Sequence, residues 1–284
     1  MPALAAAYVR YLRLLGIPEP PAGLAGLRDI VRRHICRVPF ENVSKLLLWN
    51  REGRGRLTTL PEFLDGLEFH DLGGTCYTNN PFLAGLLGAL GYQADLLGAD
   101  MICPNVHTCL RVRIDAAAYH VDAGYGAPFR DPIRLDQLPW ELREGDFHYV
   151  LDHNPRGEGY EMAVSAGLER RHSYTVHGPG RSAEFFTGTV LESYDPGRTF
   201  MRHLRVCRIF ERHSADLKDN VLAVHRENQT TRTALGSMAE LEAAFADELR
   251  MPRCPIASAV AILERLNGRP FFDAAPGTDA GMDW

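Results

Sequence analysis

The chain has 284 residues, 45 % of them hydrophobic and 24 % charged. That composition excludes a disordered tail, a fibre and a disulfide-dense miniature protein. At a common domain size of roughly 100–200 residues, it allows one large domain or two to three small ones. The net charge of −5 argues against a general nucleic-acid binder, which needs a basic surface to neutralise phosphates.

The first 91 residues read as helices. The opening run MPALAAAYVRYLRLLGI is apolar, but Arg10 and Arg13 interrupt it and no basic stretch precedes it. It therefore reads as an amphipathic helix rather than a signal peptide, with Tyr8, Leu12 and Leu15 near one face and Gly16 as the stop. Residues 24–36 carry Leu24, Leu27, Ile30 and Val31 at helical spacing, and Pro39 marks the end. Thr59 and Glu62 form a capping box with Pro61 in the first turn. A further helix covers 78–90, with Leu83, Leu86, Leu87 and Leu90 in register, and stops at Gly91.

From Tyr92 the period changes to two. Leu110, Val112 and Ile114 alternate with Cys109, Arg111 and Arg113, and Tyr119 and Val121 continue the pattern after a turn. Short strands are predicted near 131–136, 146–152, 159–165 and 172–177, which suits a small barrel or a sandwich. A third region begins near 196. It has a strand over 200–211 that pairs with 218–226, a helix after the Ser237–Glu240 box, and a last helix over 256–266. The final dozen residues, rich in Gly, Asp and Ala, are expected to be poorly ordered. No segment has the roughly 18 uninterrupted apolar residues of a membrane span, so a cytoplasmic protein without a membrane partner is expected.

The six cysteines are Cys36, Cys76, Cys103, Cys109, Cys207 and Cys254. None lies in a C-x-x-C pair, so no metal site is expected, and reduced thiols are the default without a signal peptide. Cys76 follows Gly73-Gly74-Thr75 and precedes a helix. A thiol there feels the positive end of the helix dipole, which favours thiolate; it can equally be a loop cysteine before a core helix. His107 opens a strand, as a base or as a surface histidine. Asp122 lies between Val121 and Ala123-Gly124-Tyr125-Gly126, where it can hold an imidazole or simply make a turn. Together the three would form a nucleophile, base and orienting carboxylate. His120 is the runner-up base. The run Arg202, Arg205, Arg208 and Arg212 could meet an anionic cofactor, although a solvated strand edge explains it more simply.

Periodicity alone does not bring the three together. If residues 115–118 form the turn, Asp122 faces Arg111 and His107 lies four positions further along. At roughly 3.4 Å per residue that is about 13 Å, so the set would need a bulge, a strong twist or a chain that folds back.

Four segments together resemble the arylamine N-acetyltransferase family. Arg37-Val38-Pro39-Phe40-Glu41-Asn42 is similar to its R-x-P-F-E-N segment. Gly73-Gly74-Thr75-Cys76 with Asn80 is similar to its nucleophile motif R-G-G-x-C-x-x-x-N. His107 with Leu110 and Val112 fits H-x-x-L-x-V, and Val121-Asp122-Ala123-Gly124-Tyr125-Gly126 fits V-D-x-G-F/Y-G. The order and spacing of the segments also agree. The resemblance is dense over the first half of the chain and rests on length and element order in the second.

The resemblance implies an α+β fold: a helical bundle over 1–91 bearing Cys76, a β-barrel over 92–195 bearing His107 and Asp122, and an α/β lid over 196–284. It implies acetyl-CoA as co-substrate and a small amine or hydrazine as acceptor, with Cys76, His107 and Asp122 as a catalytic triad. Phe40, Gly124, Tyr125, Gly126 and Phe129 would line the acyl and acceptor site. Glu41, Asn42, Gly73, Gly74 and Asn80 would support it. The related amide synthases, which take an acyl chain from a carrier protein, and a non-catalytic binder on the same fold are the alternatives. Leu72 stands where the family has the arginine that partners the glutamate, so Lys45 or Arg37 is expected to pair with Glu41. Thr78 replaces a common Glu or Gln. Pro81 is unusual, and is accommodated if the helix starts near 78.

Overall fold

A computed structural model describes residues 4–19 and 22–273. The expectation for the final dozen residues therefore lies outside the described residues, except at Asp273. Helix α1 (Ala6–Leu15) buries Tyr11, Leu12 and Leu15, and Gly16 ends it in a left-handed turn. Helix α2 (Gly23–Arg37) stops at Val38, because the residue before Pro39 is pushed from helical to extended backbone. Strand β1 (Phe40–Glu41) follows, then α3 (Val43–Glu52), α4 (Leu60–His70) and α5 (Cys76–Ala89). Thr59 and Glu62 cap α4 reciprocally, with Pro61 in the first turn.

Two helical details differ from expectation. Helix α3 follows P-F-E-N directly and is not predicted from the sequence; Val43, Leu46 and Leu48 bury its inner face. Helix α5 starts at Cys76 rather than near 78, because the Thr75 carbonyl already accepts from the N–H groups of Thr78 and Asn79. Pro81 thus sits in the second turn, where it has no N–H to offer the Tyr77 carbonyl.

Eight strands form the larger sheet: β2 (Gln93–Asp100), β3 (His107–Ile114), β4 (Ala117–Val121), β5 (Ile133–Arg134), β6 (Trp140–Glu144), β7 (Phe147–His153), β8 (Tyr160–Ala166) and β9 (Glu169–Val176). Their order is β5-β4-β3-β2-β9-β8-β7-β6, which curls into a nearly closed barrel. The β3–β4 turn is tighter than the sequence suggests. Ile114 pairs with Ala117 and Arg111 with His120, because Asp115 takes a left-handed φ of 53° and the loop shrinks to residues 115–116. The register moves by two residues relative to the expectation. Just beyond the last pair, Leu110–Val121, Asp122 falls beside Cys109, one diagonal step from His107. Side chains reach across such a diagonal, so neither bulge nor fold-back is needed.

After the short helices α6 (Thr187–Glu192) and α7 (Thr199–Arg202) comes a second sheet. It contains β10 (Arg205–Ile209), β11 (His213–Lys218), β12 (Val221–Arg226) and β13 (Gln229–Ala234). Its order is β1-β10-β11-β12-β13, so Phe40 and Glu41 form its edge against Cys207 and Val206. The expected strand over 200–211 is helical in its first part. The segment 218–226 meets β10 only through Lys218, the last residue of β11, which pairs with Arg205; from Val221 on it pairs with β11 instead. The solvated arginine edge holds for Arg202 and Arg212, which are exposed, but not for the two arginines between them. Because β10 is an inner strand, Arg205 and Arg208 are buried, and Arg208 donates to the carbonyls of Leu249 and Arg37.

Helices α8 (Met238–Asp247) and α9 (Ile256–Asn267) complete the described chain. Ser237 caps α8, but Glu240 reaches the Gly236 N–H rather than that of Ser237, so only half of the capping box forms. One hydrophobic cluster runs through the helices and both sheets. No helix among the described residues is long and apolar enough to cross a membrane.

Candidate active site

Helix α5 supplies Cys76 as its first residue, and the barrel supplies His107 and Asp122. All three are buried. His107 Nε2 lies 2.7 Å from Asp122 Oδ2, and the Cys76 thiol is the second hydrogen-bond partner of the imidazole. Burial opposes charge on His107, but the Asp122 charge and hydrogen bond, with Cys76, outweigh it and lift the imidazole to about 10. Burial also disfavours charge on Asp122. The His107 charge and hydrogen bond, helped by the Asn80 hydrogen bond, nonetheless hold it below the usual aspartate range.

Four donors converge on that carboxylate. Oδ1 accepts from Asn80 Nδ2 at 3.1 Å and from the Gly124 N–H at 2.9 Å; Oδ2 accepts from His107 and from the Tyr174 hydroxyl at 2.8 Å. Asn80 also donates to the Thr108 carbonyl and accepts from the Ala123 N–H. It thereby ties α5 to both strands that carry the histidine and the aspartate. Thr108 Oγ1 donates to the Cys76 carbonyl at 2.9 Å, a second tie between helix and barrel.

Backbone closeness explains two of the glycines. Gly74 has φ +133°, a conformation that side chains rarely adopt. Its carbonyl accepts from the Glu41 N–H, which lays the Phe40–Glu41 strand against the segment before Cys76. At Gly73 a Cβ would lie 2.1 Å from the Pro39 carbonyl oxygen.

Glu41 is fully buried, and the expected cation partner is absent. Its carboxylate accepts from the N–H groups of Ser44 and Gly73. Burial raises its pKa while those amides oppose the rise. Lys45 turns away to Ser193 Oγ at 2.5 Å and to the face of the Tyr194 ring. Arg37 offers its carbonyl to Arg208 rather than its guanidinium to Glu41. Backbone amides thus replace a counter-charge. Asn42 bridges outward, donating to the carbonyls of Phe200 and His203 and accepting from the Arg205 N–H.

A cavity of about 270 Å³ opens over Cys76 and His107, with Phe40, Gly124, Tyr125 and Phe200 among its walls. Two expected lining residues lie elsewhere. Gly126 faces a separate recess and accepts from the Cys207 thiol. Phe129 is buried behind Tyr125, stacked on it with ring centroids 6.0 Å apart and edge-on to Trp140 and Tyr149. The chain turns inward after Tyr125, which carries both residues off the cavity wall. Lys45, Met101 and Arg198, not singled out for the cavity from sequence, do line it.

Burial pushes Cys36 up to about 11 and also raises Cys109, Cys207 and Cys254, while Cys103 is exposed. Among the described residues no three His, Cys, Asp or Glu side chains gather as a metal ligand set.

The sequence profile of the N-acetyltransferase family matches residues 23–252. The chain belongs to the arylamine N-acetyltransferase family. It is 26 % identical over 247 residues to the arylamine N-acetyltransferase of Mycolicibacterium smegmatis, covering 82 % of this chain and 86 % of that one. It is 32 % identical over 112 residues to human arylamine N-acetyltransferase 2, or 37 % of each chain. Among solved structures, that of the M. smegmatis enzyme superposes with a TM-score of 0.74 at 24 % identity, covering 93 % of this chain and 98 % of that one. The Mycobacterium marinum enzyme in complex with CoA gives 0.76 at 22 % identity, covering 91 % and 99 %. Members of this family are enzymes, and the mixed helix and barrel architecture of this chain is the fold of those structures.

Proposed function

We propose that the protein transfers an acetyl group from acetyl-CoA to the nitrogen of a small arylamine or hydrazine, in two half-reactions through a thioester on Cys76. The observation that carries this reading is the buried line of Cys76, His107 and Asp122 at the floor of the cavity. Family membership supplies the donor and acceptor classes, and the M. marinum relative is one that holds CoA.

In this reading His107 takes the Cys76 proton, and Asp122 stabilises the resulting imidazolium. The sulfur sits at the first residue of α5, where the helix dipole favours negative charge. It attacks the thioester carbonyl of the donor. The carbon–sulfur bond to CoA breaks, and the departing CoA sulfur takes the proton from His107. The amine then enters the same cavity and attacks the acetyl carbon on Cys76. His107 accepts the proton the amine loses and returns it to the Cys76 sulfur as the amide leaves. The cavity's apolar walls, Phe40 and Phe200 among them, suit an aromatic ring. Lys45 and Arg198 are cations placed along it for an anionic donor in a chain whose overall charge is negative.

Intact-mass measurement after incubation with acetyl-CoA alone tests the reading. One added acetyl group, mapped to Cys76, absent in Cys76→Ser and lost on addition of an arylamine, is the expected result. Full turnover by Cys76→Ser would overturn it.

A further inference from the structure

We propose that His120 is a positioning residue that holds the Tyr174 hydroxyl in place, so that its hydrogen stays on the triad carboxylate. His120 lies on β4, fully buried and two residues before Asp122. Its Nε2 is 3.0 Å from the Tyr174 hydroxyl, and its Nδ1 is 3.2 Å from the Tyr160 hydroxyl. Tyr174 donates onward to Asp122 Oδ2, the oxygen that also receives His107.

Counting protons fixes the arrangement. Tyr174 has one hydroxyl hydrogen, and it is spent on the carboxylate, which can only accept. Tyr174 must therefore accept from His120, so Nε2 carries the hydrogen. In a neutral imidazole Nδ1 then has a free lone pair, and Tyr160 donates to it. The Tyr160 oxygen in turn meets the Cys109 thiol. One pattern satisfies every polar atom from Cys109 through Tyr160, His120 and Tyr174 to Asp122, in a buried region where an unsatisfied group is costly.

A charged His120 would change that pattern, since Nδ1 would also donate and the Tyr160 hydroxyl would have to accept and turn its hydrogen towards Cys109. Burial, which outweighs the Asp122 charge and is assisted by His107, lowers His120 to about 4 and keeps it neutral. The groups facing it are Tyr160 on β8, Tyr174 on β9, Asp122 after β4, and His107 on β3. Arg111 pairs with it in register across β3 and is itself directed to Asp95.

The role rests on Cys76 being the nucleophile, and the test separates the two claims. Glutamine can donate through Nε2 and accept through Oε1, as the neutral imidazole does; leucine can do neither. In the full chain, the rate of Cys76 alkylation by iodoacetamide is followed by peptide mass spectrometry from pH 4 to 9, beside acetyl-transfer kcat/KM. His120→Leu is expected to slow both by about five- to tenfold near pH 7, the scale of one lost buried hydrogen bond, and to displace the alkylation pH profile. His120→Gln is expected to stay within about twofold of wild type on the same scale. Tyr160→Phe, which removes a single oxygen, is expected to displace the profile in the same direction as His120→Leu and by less. It serves as the decisive variant if His120→Leu does not fold. A wild-type profile in His120→Leu or Tyr160→Phe, or equal damage from Gln and Leu, overturns the positioning role. Absence of acetyl-Cys76 in the wild type would instead sink the nucleophile reading.

Discussion

Gly124 touches the backbone of Cys76. A Cβ built on Gly124 would lie 2.5 Å from Cys76 Cα and 2.6 Å from Asn80 Nδ2, well inside van der Waals contact. The barrel loop after Asp122 can close on α5 only because that residue has no side chain. This contact, with the Asn80 bonds, holds the helix-borne thiol at the barrel-borne histidine. Gly124→Ala must push the loop and α5 apart, and catalytic geometry is sensitive to shifts of about 1 Å. We expect kcat/KM for acetyl transfer to fall by roughly a hundredfold and the melting temperature to drop. Steady-state kinetics and a thermal melt check this; near-wild-type turnover would mean that the closeness is not required.

The raised His107 has a consequence for stability. Its folded value of about 10 lies above the ordinary histidine value of about 6.5. The folded state therefore holds the proton more tightly. The contribution is fully present below pH 6.5 and is lost as pH rises through 10. In His107→Gln that loss should disappear. The melting-temperature gap between wild type and variant should thus shrink across pH 6.5–10. A gap that is constant over this window would show that His107 is not a charged partner of Asp122.

Much of the fold is legible in the residues. Helices α1, α2, α4 and α9 follow from apolar spacing and end signals such as Gly16, Pro39, the Thr59–Glu62 box and Gly268. Helix α3 is hidden because Leu46-Leu47-Leu48-Trp49 is an unbroken apolar run that shows no period, and the helix has no side-chain cap. The sequence places His107 and Asp122 two residues of register too far apart, since nothing local announces that Asp115 adopts positive φ. Cys76, His107 and Asp122 can be picked out by chemistry, but their meeting follows from the family resemblance and not from periodicity. Tyr174 and His120 show why: Tyr174 is 52 residues from Asp122, and sheet register, not sequence spacing, places it there. By sequence alone His120 reads as an alternative base, whereas its contacts are Tyr174 and Tyr160.

Lys45 is a buried ammonium whose recorded partners are a hydroxyl and a ring face, not a carboxylate. Burial lowers it to about 7, below the ordinary lysine value of about 10.4. Here the unfolded chain holds the proton more tightly. Lys45 therefore costs stability below pH 7, and the cost fades as pH rises from 7 towards 10.4. Lys45→Met, similar in length and apolar, is expected to raise the melting temperature by roughly 3–8 °C at pH 6. The gain should vanish near pH 10. A loss at pH 6 would mean that the ammonium is compensated in the folded protein.

Asp122→Asn separates orientation from packing. The carboxylate accepts four hydrogen bonds and donates none. An asparagine amide has one acceptor oxygen and an NH2 that donates. Whichever way it is turned, the NH2 faces two groups that also donate, from either the Asn80 and Gly124 side or the His107 and Tyr174 side. Near His107 it would force the opposite tautomer and withdraw the proton acceptor from Cys76, a change that costs on the order of ten-thousandfold in kcat in a serine-protease triad. Near Gly124 it would loosen the loop that packs on Cys76. We therefore expect transfer to fall by at least about a thousandfold, together with a lower melting temperature, because buried donors are left unpaired in either case. Kinetics and melts on the same preparation check both. A large rate loss with an unchanged melt would mean that the loop accommodates the amide and only the tautomer matters. An unchanged rate would remove Asp122 from the triad.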